Sequence, residues 1–420
     1  MTKRIAILSM HTSPLAQPGT GDGGGMNVYV RELAAALARK GHRCDVFTRS
    51  TSADLARSVV LEPGFVVHHV AAGAESPMAK EDLGAVVPEF TDRVLSQMTT
   101  ASGSPLSAAD GGPYDIVHGN YWLSGLAGHI IKHELDLPLV STFHTLDRVK
   151  AEAVPEERDA PWRAEAETTI IGCSDAVLAS CSVEAEQLMS LYGARPEQVE
   201  IVAPGVDHAF FAPGNRAQAR RALHLPDTGP LLLFVGRIQP LKGANVALEA
   251  LALLRAQGQR ATLVIVGGPS GVHGEATMAQ LHEFVAQHHL EDAVIFRPPQ
   301  PHELLSSYYR AADVTICPSR SESFGLVALE SATCGTPTIA SAVGGLTTVI
   351  QDGVTGVLVE GHDPGAFAFA ASKLLEDRHG YDTMAHAAVL DARRYSWRAA
   401  AERLDDLFER LCSRQLVSCR

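Results

Sequence analysis

The chain has 420 residues, 46% hydrophobic and 20% charged, and its 48 acidic against 35 basic side chains give a formal net charge of −13. One hydrophobic core does not grow to that size, so two domains are expected. The acidic balance argues against nucleic acid as a partner, since phosphate backbones select basic surfaces, and it aims isolated Lys and Arg side chains at small anions.

Taken in chain order, Met1–Met10 joins basic residues to an apolar run too short for a signal-peptide core, with no small-residue cleavage site after it; it reads as a first strand. Ile5–Ser9, Cys44–Thr48, Val66–Val70, Ile116–His118, Leu139–Phe143 and Ala176–Ser180 are the expected strands of the first half. Between them Val28–Arg39, Ser124–Lys132 and Glu184–Leu191 carry helical spacing. The Pro/Gly-rich pieces Ala203–Asp207 and Pro213–Asn215 mark a linker. Beyond it come strands Leu231–Val235, Thr262–Val266, Ala293–Phe296, Val314–Cys317, Thr338–Ala340 and Gly356–Val359, alternating with helices Val246–Arg255, Thr277–His288, Glu303–Ala311 and Pro364–Glu376. The run Ala399–Leu411 reads as a last helix that packs back on the first half. The expected domains are therefore 1–205 and 206–396, with 397–412 returning to the first. Such alternation predicts α/β domains, each a parallel sheet covered by helices on both faces, with ligands beyond the carboxyl ends of the strands in the crevice where the domains face each other.

No uninterrupted apolar run is long enough to span a membrane. The 7 cysteines are scattered without a C-x-x-C pair, which fits reduced thiols and a cytoplasmic location. Cys412 and Cys419 flank a tail expected to be mobile, and neither cysteine is expected to have a function. A homodimer is left open.

Two motifs carry the chemistry. Glu322-Ser-Phe-Gly-Leu-Val-Ala-Leu-Glu330 sets two carboxylates eight residues apart around a Phe324-Gly325 turn, directly after an apolar strand. With a helix starting near Leu326, the first-turn N–H groups suit a phosphate. Glu330, one turn in, is placed to accept from ribose hydroxyls, and Glu322 from a sugar. The same spacing also occurs on ordinary helices. The second motif is Leu231–Val235 ending in Gly236-Arg237, with Lys242-Gly243 following. A guanidinium fork and an ammonium at one strand end converge on a diphosphate; the bland reading is two solvated cations. The sequence offers neither an Asp-x-Asp metal motif nor a His/Cys cluster with ligand spacing.

These motifs join the loop His11–Tyr29, with its Gly23-Gly-Gly25 turn, Tyr121-Trp-Leu-Ser-Gly125, His144-Thr-Leu146, Gly267-Gly-Pro-Ser-Gly271, Val343-Gly-Gly-Leu346 and Gly361-His-Asp-Pro364. Together they resemble the retaining GT-B glycosyltransferases over nearly the whole chain, and within them the inositol-phosphate glycosyltransferase family of mycothiol biosynthesis. Sucrose-phosphate synthases share part of the pattern. The resemblance implies two Rossmann-like domains with a cleft between them. It implies a nucleotide-diphosphate sugar as co-substrate, by default UDP-N-acetylglucosamine, no required cofactor or metal, and small-molecule partners alone. Donor contacts carried over are Arg237 and Lys242 on the diphosphate, Glu330 on the ribose, Glu322, Phe324, Gly325 and Leu326 around the sugar, and Gln300 against the base. Acceptor contacts are Lys80, Tyr121, Thr145 and Arg163 on the phosphate, with His11, Gln17, Gly25 and Asn27 in the first loop. Gly25 serves the donor as well. Arg237, Lys242, Glu322 and His144 form the implied catalytic set.

Bland readings stand beside several of these. Lys80 sits in a Lys-Glu-Asp run of the solvated kind, Arg163 beside Trp162 reads equally as a packed helix residue, and His144 as a hydrogen-bonded core histidine. The chain departs from the family at Gln300, where an Arg is usual, at His118-Gly-Asn120 in place of His-Ser-His, and at Arg320-Ser321 in place of Phe-Asn. The Gln300 amide keeps a GDP-sugar donor open. Three functions compete: the inositol-phosphate transferase, a secondary-metabolite glycosyltransferase of the same family acting on another acceptor, and a nucleotide-sugar sensor without catalysis.

Overall fold

The computed structural model describes residues 2–99, 114–155 and 160–419. The chain divides into two compact units. Unit 1 takes Met1–Ala16, Met26–Ala203 and Trp397–Arg420; unit 2 takes Gln17–Gly25 and Pro204–Ser396.

Unit 1 holds strands β1 (Arg4–Leu8), β2 (Arg43–Arg49), β3 (Ser58–Glu62), β4 (Phe65–Val70), β5 (Ile116–Asn120), β6 (Leu139–Thr142), β7 (Ala176–Ala179) and β8 (Val199–Ile201). They form one sheet in the order β3-β4-β2-β1-β5-β6-β7-β8. Every neighbouring pair is parallel except β3 with β4, whose antiparallel register slips between Val60 and Glu62. β5, β6 and β7 are buried throughout, as strands covered on both faces must be; β6 and β7 are unbroken apolar or small-residue runs for that reason, whereas β5 also carries His118 and Asn120. Helices Val87–Thr99 and Trp122–Leu135 cover one face through Phe90, Val94, Ala127 and Ile131. Helix Gly25–Arg39 covers the other through Leu33 and Leu37, together with Leu404, Phe408 and Leu411 of the last helix, Trp397–Cys412.

β3 and β8 are absent from the expected strands for a physical reason. β3 is mostly solvent-exposed and shows no apolar face, and β8 is three residues long with Glu200 at its centre. Glu200 is paired with Arg403 and Arg410 of the last helix. Helix Val87–Thr99 was also not anticipated, although it buries a clear apolar stripe.

Unit 2 holds β9 (Leu231–Val235), β10 (Thr262–Val266), β11 (Val294–Arg297), β12 (Val314–Cys317), β13 (Thr338–Ser341) and β14 (Gly356–Val359), all parallel, in the order β11-β10-β9-β12-β13-β14. Both sheets are doubly wound and Rossmann-like, with the strand order reversing between β1 and β5 in unit 1 and between β9 and β12 in unit 2. Open α/β sheets bind ligands at the carboxyl side of such reversals.

Two expectations need correction. The sequence reads 1–205 as one stretch, but Gln17–Gly25 clusters with unit 2, where Gln17 Nε2 donates to the Pro299 carbonyl (2.9 Å) and Ser270 Oγ to the Gly21 carbonyl (2.8 Å). The cysteines are expected to be unpaired. Instead Cys419 meets Cys173, 246 residues earlier, as a disulfide with Cα atoms 5.0 Å apart, and His129 and His133 flank the pair. Sequence spacing shows no His/Cys cluster because the members of this one come from three distant segments. Among the described residues no helix is long and apolar enough to cross a membrane.

The last helix is part of the core of unit 1. Leu404→Ala, at a fully buried position, should lower unfolding free energy by about 2–5 kcal/mol. Urea denaturation checks this; a loss under about 1 kcal/mol would mean a helix that rests only loosely on its unit.

Candidate active site

Unit 2 gathers its charged residues where β9 and β12 separate. Arg237 follows β9, and Pro240–Lys242 forms a 3-10 turn that ends at Gly243 in the left-handed region (φ 68°). A Cβ on Gly243 would overlap the Pro318 carbonyl just past β12, so only glycine lets the two strand ends approach. Lys242 Nζ reaches Glu322 Oε2 at 2.6 Å, with each side chain about one fifth exposed. The loop carrying Glu322 is clamped from beneath: Gly345 N donates to the Glu322 carbonyl (2.8 Å), and a Cβ on Gly344 or Gly345 would overlap backbone of Glu322 to Phe324.

Gly325, at φ 107°, caps the helix Leu326–Thr333, whose first-turn amides have no partner within the helix. Phe324 is buried edge-on against Tyr395. Glu330 is buried one turn into the helix. Tyr309 Oη donates to its Oε2 (2.8 Å), and His302 Nε2 is hydrogen-bonded to its Oε1 (2.7 Å). These partners fix the carboxylate while leaving it lone pairs to accept more. The glycine loop of unit 2 lies against the same elements, with Gly24 beside the Arg237 guanidinium and Gly25 beside Leu326. Gln300 Nε2 donates to the Pro298 carbonyl (2.8 Å). Gln17, expected on the acceptor side, donates to the adjoining Pro299 carbonyl.

In unit 1 the corresponding reversal is marked by backbone strain. Tyr121, straight after β5, has φ 74° and ψ 156°, and His144, just past β6, has φ 62°. Non-glycine residues rarely hold such angles, and they concentrate at functional sites. Tyr121 is buried, and its ring is approached by three groups the sequence assigned to the acceptor: Lys80 Nζ at 4.9 Å, the Arg163 guanidinium at 4.9 Å and the His11 ring at 4.4 Å. Arg163 Nη2 also donates to the Thr145 carbonyl (2.6 Å) and hydroxyl (3.2 Å). Lys80, Tyr121, Thr145 and Arg163 therefore converge. Tyr121 Oη and Asn120 Nδ2 are buried with no partner, a condition that needs a reason.

Arg163 is a packed helix residue, as one of its two readings expects. It is fully buried, and its Nε donates to Glu167 Oε1 (2.7 Å) in an equally buried pair. Burial pushes the Glu167 carboxyl up, with the Arg163 charge opposing. Asn27 does not present its amide outward: Nδ2 donates to Thr12 Oγ1 (2.7 Å) and the Ser13 carbonyl (2.6 Å), so it shapes the first loop. His144 Nε2 is hydrogen-bonded to Asn120 Oδ1 (2.9 Å). That oxygen only accepts, which puts the proton on Nε2. Burial, with His118 nearby, lowers the His144 pKa to about 3, so the ring is neutral. Glu167, Asn120 and the Gly344-Gly345 clamp were not singled out as site residues. The clamp had a signal in the Val343-Gly-Gly-Leu346 segment, whereas backbone strain and buried orphans leave none.

Residues 23–210 match the family model of Glycosyltransferase Family 4 and residues 215–391 that of Glycosyl transferases group 1. A D-inositol 3-phosphate glycosyltransferase of Actinosynnema mirum is 46% identical over 96% of this chain and 96% of its own length. The chain belongs to the GT-B glycosyltransferases. Another enzyme of that name, from Acidothermus cellulolyticus, is 45% identical over 94% of this chain and 87% of its own. Among solved structures, a sucrose-phosphate synthase from Thermosynechococcus elongatus superimposes with a TM-score of 0.87 at 32% identity, covering 97% of this chain and 99% of its own. The Anabaena protein HepE, solved with UDP-glucose, shares the fold at 20% identity and a TM-score of 0.76, over 97% and 100% of the two chains.

The buried imidazoles of this glycosyltransferase set a pH dependence. His118 is lowered from 6.5 to about 4 and His144 from 6.5 to about 3, chiefly by burial. Between those values and 6.5 these two rings bind more protons in the unfolded chain than in the folded one, so their contribution to stability is lost as pH falls through that window, while the raised carboxyls of Glu167 and Glu184 act in the opposite sense. Unfolding midpoints in urea should drop from pH 7 to pH 4.5, and His118→Gln should flatten the slope. An unchanged slope in that variant would remove His118 from the account.

Proposed function

We propose that this glycosyltransferase moves a sugar from a nucleotide-diphosphate donor to an inositol phosphate, with retention at the anomeric carbon. The observation that carries the acceptor reading is the convergence of Lys80, Arg163 and Thr145 on Tyr121, whose buried hydroxyl has no protein partner. Two cations and two hydroxyls make a socket for a phosphate dianion. The names of the relatives, D-inositol 3-phosphate glycosyltransferases, support the same acceptor.

Unit 2 is the proposed donor side. Arg237, Lys242 and the amides at the start of helix Leu326–Thr333 take the diphosphate, Glu330 the ribose, and Glu322 with the Phe324-Gly325 turn the sugar. Gln300 lends its amide N–H to its own backbone, which weakens the case for guanine and favours uridine. N-acetylglucosamine remains the default sugar. In this mechanism the acceptor hydroxyl attacks from the face the leaving group departs from. The departing diphosphate oxygen takes the hydroxyl proton while Arg237 and Lys242 stabilise its charge. Glu322 then opposes positive charge on the sugar ring, and His144, uncharged, contributes a dipole.

Lys80→Ala and Tyr121→Phe are the clean tests of the socket. Each should raise the KM for inositol phosphate by about 10-fold or more and leave the donor KM within about 2-fold, the scale of one charge-assisted hydrogen bond. Equal rises for both substrates, or unphosphorylated inositol serving as well as its phosphate, would refute the assignment. Arg163→Ala is the wrong probe because it strands the Glu167 carboxylate in the core.

On the donor side, Lys242→Ala should lower kcat by about 10²–10³-fold at saturating donor, the loss from one preorganised charge. Wild-type turnover in that variant would exclude Lys242 from leaving-group stabilisation.

A further inference from the structure

Away from the strand ends, four soft and borderline donors meet at the far ends of two helices of unit 1. His129 and His133 lie one turn apart on helix Trp122–Leu135, on one face, with ring centroids 5.0 Å apart. Cys173 is the last residue of helix Arg163–Cys173 and is buried. Cys419 arrives from the tail, its sulfur 3.0 Å from His133 Nε2. The four ligand atoms all lie within 4.8 Å of one another.

We propose that these residues form a structural zinc site. Bonds of about 2.3 Å to sulfur and about 2.0–2.1 Å to nitrogen put the donors of a tetrahedral zinc about 3.3–3.8 Å apart, a span that the cluster reaches once the Cys173–Cys419 bond is reduced and the two sulfurs part. Two thiolates with two imidazoles select zinc over the hard cations calcium and magnesium. The site forms from the dithiol state of Cys173 and Cys419. Zn²⁺ binds two thiolates and two neutral imidazoles, the two thiol protons leave to solvent, and the complex is electrically neutral. A disulfide alone accounts for the meeting of the two sulfurs. It gives no reason for two imidazoles to be stationed beside them.

The surroundings hold the donors in place. Lys132, buried between the histidines in sequence, donates through Nζ to the Cys173 carbonyl and to Asp175 Oδ2, both at 2.7 Å. Asp175 Oδ2 also accepts from Leu139 N (2.8 Å), and its Oδ1 accepts from Val417 N (2.6 Å). The tail is thus docked two residues before Cys419 by a carboxylate tied to the same helix ends. Four protein ligands close the coordination sphere, which is the pattern of structural rather than catalytic zinc. The metal would pin the tail across the carboxyl ends of two helices whose opposite ends start next to Tyr121 and at Arg163.

The test uses the full chain, purified under a phosphine reductant, stripped with chelator and titrated with Co²⁺ and then Zn²⁺. The expected result is about one cobalt per chain, with the visible bands of tetrahedral coordination and a near-ultraviolet thiolate charge-transfer band, both abolished by zinc. His133→Ala and Cys419→Ser, at positions outside the hydrophobic core, should each weaken cobalt binding by at least about 10-fold while circular dichroism stays unchanged. Zinc should also protect the segment after Cys412 from limited proteolysis, and chelator should expose it. The proposal falls if the reduced chain shows no thiolate–cobalt band, if Cys419→Ser binds cobalt like the wild type, or if tail cleavage ignores zinc.

Discussion

Backbone meeting backbone at the carboxyl ends of the strands is the constraint on which unit 2 depends. A side chain on Gly267 would run into the Gly236 carbonyl, one on Gly243 into Pro318, and one on Gly344 into Glu322. Each contact draws together two loops that leave neighbouring parallel strands. Because β9 and β12 diverge at the reversal of strand order, these are the loops that carry Arg237, Lys242 and Glu322. The glycines therefore set the spacing of charges that lie far apart in sequence. They cost chain entropy, which the close packing of both loops offsets.

Unit 1 solves the same geometric problem with strain instead of glycine. Tyr121 and His144 stand in backbone conformations costing of order 1–3 kcal/mol each. The neighbourhood that maintains them is unusually polar for a core. Arg163 and Glu167 pair with no exposure, and Tyr192 donates to Glu167 (2.5 Å). Removing either charge strands the other in low dielectric, so the pair is held jointly. The consequence is a guanidinium shielded from water and kept beside the Tyr121 ring and the Thr145 hydroxyl.

Much of this was legible in the residues. Apolar runs such as Leu231–Val235 and Thr262–Val266 announce buried parallel strands, and their bounds agree with the structure. Glu322, Gly325 and Glu330 were legible because a turn, a cap and a helix impose fixed spacing. Lys80, Tyr121, Thr145 and Arg163 were not readable from spacing, since tertiary folding alone brings together residues on four different segments; only resemblance grouped them. The loop Gln17–Gly25 was assigned by its place in the chain, whereas hydrogen bonds to Pro299 and Ser270 decide its unit. Cys419 was dismissed with its tail for a similar reason: its partner lies 246 residues earlier, and no periodicity spans that distance.

The two strands that escaped the pattern have a use in common. An exposed, straight sheet edge is a template for strand addition by another chain. The eight-stranded sheet ends on one side in β3, reversed in direction and broken by a register slip. On the other side it ends in β8, only three residues long, with Glu200 tied to Arg403 and Arg410. Neither rim offers a long uniform row of amides and carbonyls. A sheet this wide is thereby closed to edge-on polymerisation without being rolled into a barrel.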